Sequence, residues 1–251
     1  MAISPEFDSP PIEPASRSEA IAVTLRNEIL RGQYRPGERL PSERDLALRF
    51  QTGRGPVREA LKRLEQLGIA SIQHGGARAV AIEDCTLDVL GPLLELDEHP
   101  DPRLVDQIME IFGVLVHVAA RAAIRDASDE QMAEIKRRAL TLLDEEGDQY
   151  ARHKALREFT HYLVKVADHL VLTLIMNGLV AKFQLLHGNQ GIRIDLDSAA
   201  YREIAAELCR AVDDRDYERV GNAMHRLNRF FRDIVGAALQ ERRSIRNPGH
   251  V

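Results

Sequence analysis

Apolar residues along the chain recur mostly at helical spacing, in segments that fall into two groups. Ile21, Leu25 and Ile29 share one face of a helix predicted over 17–31, and Ser16 with Glu19 has the spacing of a capping box at its start. Gly32 to Gly37, with Pro36, read as a loop. Ser42, with Asp45 three residues on, predicts the N-cap of a short helix that buries Leu46, Ala47 and Phe50 and ends near Gln51. Thr52 and Gly53 make a turn, and Pro56 falls in the first turn of the next helix, where its missing N–H is harmless. That helix runs to about Leu67 with Val57, Ala60, Leu61 and Leu64 inward, and Gly68 stops it. Two β-type runs follow, Ile69–Gln73 and Ala77–Ile82, around a His74-Gly75-Gly76 tip.

After a connector at 83–86 the pattern is helical throughout, with helices predicted over 86–96, 102–126, 129–147, 149–168, 170–188, 197–213 and 216–240. Ser128 and Gln131 form a second capping box, and Gly188 to Gly191 is the clearest later break. Residues 1–16 hold four prolines and little apolar periodicity, which predicts disorder, and the polar tail from Glu241 is expected to fray. The fold class is therefore an α+β head with helix-turn-helix and wing, residues 17–82, followed by an all-α bundle over 86–240, mainly α overall.

Charge changes the picture once the chain is divided. The net charge of −5 argues against a nucleic-acid binder, yet Arg17 to Val80 hold 12 Lys or Arg against 7 Asp or Glu. A basic head on an acidic body lets one face approach DNA while the rest stays off it. Arg54 and Arg58 stand one turn apart at the start of the second short helix, and arginine can grip guanine bidentately in the major groove. With 44% hydrophobic residues there is ample core, and the scarcity of aromatic residues suits aliphatic helix packing.

The segments LPSERDLALRF, GRGPVREALKRLEQLGI and IQHGG resemble the winged helix-turn-helix of the GntR family of bacterial transcriptional regulators, over residues 17–82. The resemblance implies that Arg44, Arg54, Gly55, Arg58, His74 and Gly75 contact DNA. Gly53 and Gly55 stand where the family has Ser or Thr, so two hydroxyl contacts to phosphate are expected to be missing. The family further implies a homodimer on a palindromic double-stranded operator.

The later helices resemble the FCD domain of the FadR subgroup, over residues 86–240. Its fatty-acid-responsive members are the best match, through LLELDEHPD and LIMNGL. Most such domains are expected to hold a metal through one Asp and three His. Alignment puts Leu156, Thr160, Tyr201 and Leu227 at those four positions, and Phe112 where an arginine would grip a ligand carboxylate. The resemblance thus implies a metal-free site without cofactor for an apolar effector, lined by Phe112, Leu156, Thr160, Tyr201 and Leu227, with fatty acyl-CoA as the leading candidate. The alternatives are a regulator sensing a small carboxylate through a bound metal, if His161 or His225 replaces an aligned position, and a ligand-independent DNA-binding protein.

His153, His161 and His169 are eight residues apart, so they drift around a helix rather than share a face. His117, among Val114, Leu115, Val116 and Val118, reads as a core-edge histidine. The two Glu-x-x-His signatures that a catalytic metal site in a helical bundle needs do not occur together, and no phosphate loop or activated nucleophile is found, so the chain is not expected to be an enzyme. Cys85 and Cys209 have no metal spacing and are expected to stay thiols. No secretory start or apolar run of membrane-spanning length is read, and a cytoplasmic regulator, more often repressor than activator, is the expectation.

Overall fold

The computed structural model describes residues 16–97, 99–143, 149–190 and 198–246, and these form two compact units divided between Leu96 and Asp97. The expected disorder of 1–15 and helix over 144–147 lie outside the described residues.

In the first unit, α1 (Arg17–Leu30), α2 (Glu43–Arg49) and α3 (Arg54–Gln66) precede the hairpin β1 (Ala70–Gln73) and β2 (Gly76–Ala79). The predicted core positions are buried: Ile21, Leu25 and Ile29 from α1, Leu46 and Ala47 from α2, and Val57, Ala60, Leu61 and Leu64 from α3; Phe50, predicted inward with them, caps α2 and is only partly buried. The Ser16 capping box does not form. Ser16 Oγ pairs with Ser18 Oγ at 2.9 Å, which diverts it from the helix amides. Gly68 ends α3 at φ +75°, the left-handed region that favours glycine.

The hairpin is shorter than expected, because Ile82–Asp84 turns as a 3-10 helix. β1 and β2 pair antiparallel with Ala70 opposite Ala79 and Gln73 opposite Gly76. A third segment joins β2. Ala79 N donates to Glu38 O at 2.9 Å and Leu40 N to Ala77 O at 2.8 Å, which sets Arg39 opposite Arg78. The helix predicted over 86–96 shortens to α4 (Leu90–Leu94) after a 3-10 turn at Leu87–Val89. It packs on α1, and Val89, Leu93 and Leu96 extend the first unit's core.

The second unit comprises α5 (Pro102–Asp126), α6 (Asp129–Leu140), α7 (Gln149–Val166), α8 (Leu170–Gln190), α9 (Ala199–Asp213) and α10 (Tyr217–Arg246). Helix α5 is central, packing on α10, α7 and α8, and α9 bridges α6 and α10. The Ser128–Gln131 capping box forms, with Ser128 N donating to Gln131 Oε1 at 2.8 Å. Two expectations fail here. Helix α8 continues through Gly188 to Gln190, Gly191 lying outside the described residues, and α10 continues past Glu241 to Arg246. A polar composition without Gly or Pro before Asn247 gives α10 no stop signal.

Two glycines let α5 and α10 approach closely. A β-carbon at Gly113 would lie 2.2 Å from Asn228 Nδ2, and one at Gly221 would lie 2.5 Å from Arg121 Cγ. Asn228 Nδ2 donates to Met109 O at 2.8 Å, and Arg232 of α10 pairs with Asp106 and Glu110 of α5. Contrary to the expectation of no membrane-length segment, α5 is long and apolar enough to cross a membrane by length and composition. Its buried residues, among them Val105, Ile108, Val116, Ala120 and Ile124, form a core-facing stripe of the bundle.

Candidate nucleic-acid interface

Helix α2 starts where its sequence signals it: Asp45 N donates to Ser42 Oγ at 3.3 Å, and the serine hydroxyl donates back to Asp45 Oδ2 at 2.6 Å. Phe50 closes the helix and Gln51 turns the chain at φ 48°, so that Gly53, at φ −76° and ψ 167°, is the N-cap of α3. This turn fixes the angle between the two helices. With Val57, Ala60, Leu61 and Leu64 committed to the core, Arg54, Gly55 and Arg58 are left exposed on the first turns of α3.

The two arginines differ electrostatically. Arg58 donates from Nε to Glu43 Oε1 at 3.1 Å and from Nη2 to Glu43 Oε2 at 2.9 Å, a bidentate pair tying α3 to α2. The guanidinium holds the Glu43 carboxyl below its usual range. Arg54 has no ion-pair partner among the described residues. Arg44, on the exposed face of α2, keeps 74% of its side chain in solvent, with Asp45 Oδ1 3.8 Å away. His74 and Gly75 form the exposed turn of the hairpin, where Gly75 at φ +107° and Gly76 at φ +124° take conformations costly for other residues. All six residues that sequence reasoning selected are thus surface groups of one compact unit. They lie on exposed faces of α2 and α3 and at the hairpin tip, and the three arginines among them are donors of the kind that hold phosphates and base edges.

Residues 17–80 match the family described as "Bacterial regulatory proteins, gntR family", and residues 107–230 match the FCD domain. The transcriptional regulator Mce2R of Mycobacterium tuberculosis is 31% identical over 207 residues, covering 79% of this chain and 85% of that protein. The chain belongs to the GntR family. It is a DNA-binding transcriptional regulator with a winged helix-turn-helix and an FCD domain, not an enzyme. A fatty acid metabolism regulator protein of Shewanella halifaxensis is 29% identical over 213 residues, covering 82% of this chain and 84% of that protein. In the solved structure of Lar, which controls the agr system of Listeria monocytogenes, the same fold recurs. Its TM-score is 0.50 at 18% identity, covering 91% of this chain and 99% of that one.

In the FCD domain, the aligned effector positions lie on four helices: Phe112 on α5, Leu156 and Thr160 on α7, Tyr201 on α9 and Leu227 on α10. Tyr201 and Leu227 are buried in the core, and the other three are half-buried. The Tyr201 ring lies against Phe230, its hydroxyl reaches Leu142 O at 3.5 Å, and burial pushes that hydroxyl up to about 12. Sequence reasoning missed Arg152. It lies one turn before Leu156, only 8% exposed, and close enough that its charge acts on the Tyr201 hydroxyl. Arg152 belongs to α7, whereas the aligned arginine position, Phe112, belongs to α5.

His161 is exposed on α7, whereas His225 of α10 meets His117 of α5 edge-on, ring centroids 6.3 Å apart. His169 Nδ1 accepts from Leu172 N at 3.2 Å and so caps the first turn of α8. Among the described residues no three His, Cys, Asp or Glu side chains are placed to hold a metal. A cleft lies between α6 and α7, lined by Glu130, Gln131, Ala133, Glu134, Arg137 and Tyr162, none of them an aligned effector position. Cys85 and Cys209 are free thiols, one in each unit.

Proposed function

We propose that this GntR-family regulator is a cytoplasmic homodimeric repressor of the FadR subgroup, reading a palindromic operator and responding to an apolar metabolite with an anionic head, a fatty acyl-CoA being the leading candidate. The carrying observation is the chemistry of the aligned effector positions. Phe112, Leu156, Thr160, Tyr201 and Leu227 supply apolar and hydroxyl groups, and Arg152 adds one buried positive charge beside them. Apolar walls with a few convergent polar groups suit a long-chain ligand better than a small dicarboxylate. The likeness to a protein named a fatty acid metabolism regulator supports the same class.

A second copy is supported by the outer face of α5, where Ile111, Val114 and Val118 are about half exposed and recur at i, i+3 and i+7. Such a stripe on a helix already packed on its other side is suited to self-pairing, and a two-fold dimer matches two half-sites. In this reading effector binding shifts the population between arrangements of the two heads, and operator affinity falls by the ligand's preference for the incompetent arrangement.

Native mass spectrometry of the full chain, beside denaturing mass spectrometry and elemental analysis, tests the proposal. The expected result is a dimer that takes up palmitoyl-CoA, melts higher with it and holds no stoichiometric metal. A metal-loaded dimer would overturn the apolar site, and a monomer would overturn the two-fold reading. A dimer whose stability and operator affinity ignore every acyl-CoA would leave a ligand-independent DNA-binding protein.

A further inference from the structure

The solvent face of the wing carries two guanidinium groups whose placement has a physical cost. Because Leu40 N bonds Ala77 O and Ala79 N bonds Glu38 O, Arg39 and Arg78 face each other as a non-hydrogen-bonded antiparallel pair. In such a pair the side chains leave the same face, with β-carbons about 4.5–5.5 Å apart, and like charges directly opposite are unfavourable. Neither arginine has an ion-pair partner among the described residues. The two carboxylates flanking this ladder are engaged by backbone amides: Glu38 Oε2 accepts from Arg35 N at 2.8 Å, and Glu65 Oε1 from Ile72 N at 3.0 Å.

The rest of the face has the same character. Ser71 pairs with Arg78 across the hairpin and Gln73 with Gly76, so both residues share the face of Arg78, and Gln73 Nε2 donates to Ser71 Oγ at 3.2 Å. Arg78 Nη1 donates to Gly37 O at 2.8 Å, which holds its head at the root of the wing. Arg39 reaches the other way, toward the tip. A β-carbon on Gly76 would stand 3.0 Å from its Nε and 3.3 Å from its Nη2, so the guanidinium lies against the backbone of Gly76. The face is thus a row of donors from root to tip, two of them formally charged.

We propose that Arg39 and Arg78, with Ser71 and Gln73 of β1 on the same face, form a phosphate-binding platform that clamps the DNA backbone beside the hairpin tip of His74 and Gly75. Two phosphates along one strand place negative charge where the opposed arginines lack it, so the unfavourable pairing in the free protein is relieved in the complex. The platform contributes affinity and orientation but no base recognition. It is separate from Arg54 and Arg58 of α3, so it can fail while the major-groove assignment holds, and the reverse.

The test uses full-length protein with Arg39→Gln, Arg78→Gln and the double substitution. The DNA is a duplex enriched from a random pool by the wild-type protein, beside an unrelated duplex of equal length. Each lost phosphate contact should reduce the slope of log affinity against log salt by about 0.9, and the double variant by about 1.8, with both duplexes weakened alike and the enriched bases unchanged. Arg39→Gln should also melt no lower than wild type at low salt, because it removes a like-charge opposition. An unchanged slope would overturn the proposal, as would altered base preference, which would make these arginines base readers. A lower melting temperature with an unchanged slope would show Arg39 to be merely structural.

Discussion

Glu43 occupies two donor nitrogens of Arg58 in the free protein, so the guanidinium is oriented before any nucleic acid arrives. The same carboxylate puts a negative charge on the face proposed to meet DNA phosphates. Glu43→Gln is therefore predicted to tighten binding to unrelated duplex more than to the selected sequence, narrowing the specificity ratio in competition anisotropy. An unchanged ratio would remove Glu43 from the interface. Gly53 and Gly55 have open space where a β-carbon would stand, and neither has a positive φ. Gly53→Ser should restore a side-chain cap on α3 and one phosphate contact, raising DNA affinity without loss of stability in thermal melts. In the FCD domain, burial pushes the Cys209 thiol to about 11 and the Tyr201 hydroxyl to about 12, against ordinary values of 9.0 and 10.0. Both folded values are raised, so this stabilisation is complete below pH 9, declines as the unfolded groups ionise, and is gone above pH 12. Urea titrations across that range should show the loss, and Cys209 should resist thiol reagents near pH 8 until the domain is unfolded. Arg54 and Arg58 were legible as site candidates because four apolar neighbours fix which side of α3 is free. Arg152 was not, because a charged residue in a polar stretch of sequence carries no sign of its burial.

At the scale of elements, the α5 and α10 pair carries the second unit. Gly113→Ala places a methyl group where Asn228 Nδ2 stands, forcing out the side chain that donates to Met109 O. The expected cost is about 1–3 kcal/mol in urea denaturation, with the helical content of the native state unchanged. A neutral effect would mean the helices can separate at that crossing. Elements with strong periodicity and local punctuation were readable: α2 through Ser42, α3 through Pro56 and Gly68, α6 through the Ser128 box. What sequence could not supply was pairing at a distance. The bridge between Arg39 and Arg78 joins a loop residue to a strand 39 positions later, and nothing in Gly37-Glu38-Arg39-Leu40 marks it as a strand. Helix ends that depend on packing were likewise missed. Leu239 is buried on α10, which anchors the last turns and lets the helix run on through a polar tail.

At the scale of the molecule, the chain forms two compact units divided between Leu96 and Asp97, each with its own core. The family was legible because the head's motifs pack turn chemistry, core spacing and donor placement into few residues. The effector was not, since the positions aligned to a ligand come from four helices far apart in sequence and their alignment rests on resemblance. The central claim is that α3 reads DNA through Arg54 and Arg58. The most direct measurement is fluorescence anisotropy of the wild-type protein and of Arg54→Ala and Arg58→Ala on the duplex enriched by wild type, with circular dichroism confirming the fold. Each substitution is predicted to weaken specific binding by about 1–3 kcal/mol per lost base contact and to relax base preference at its own position. Two folded variants that bind the enriched duplex as the wild type does, with the same base preferences, would contradict it.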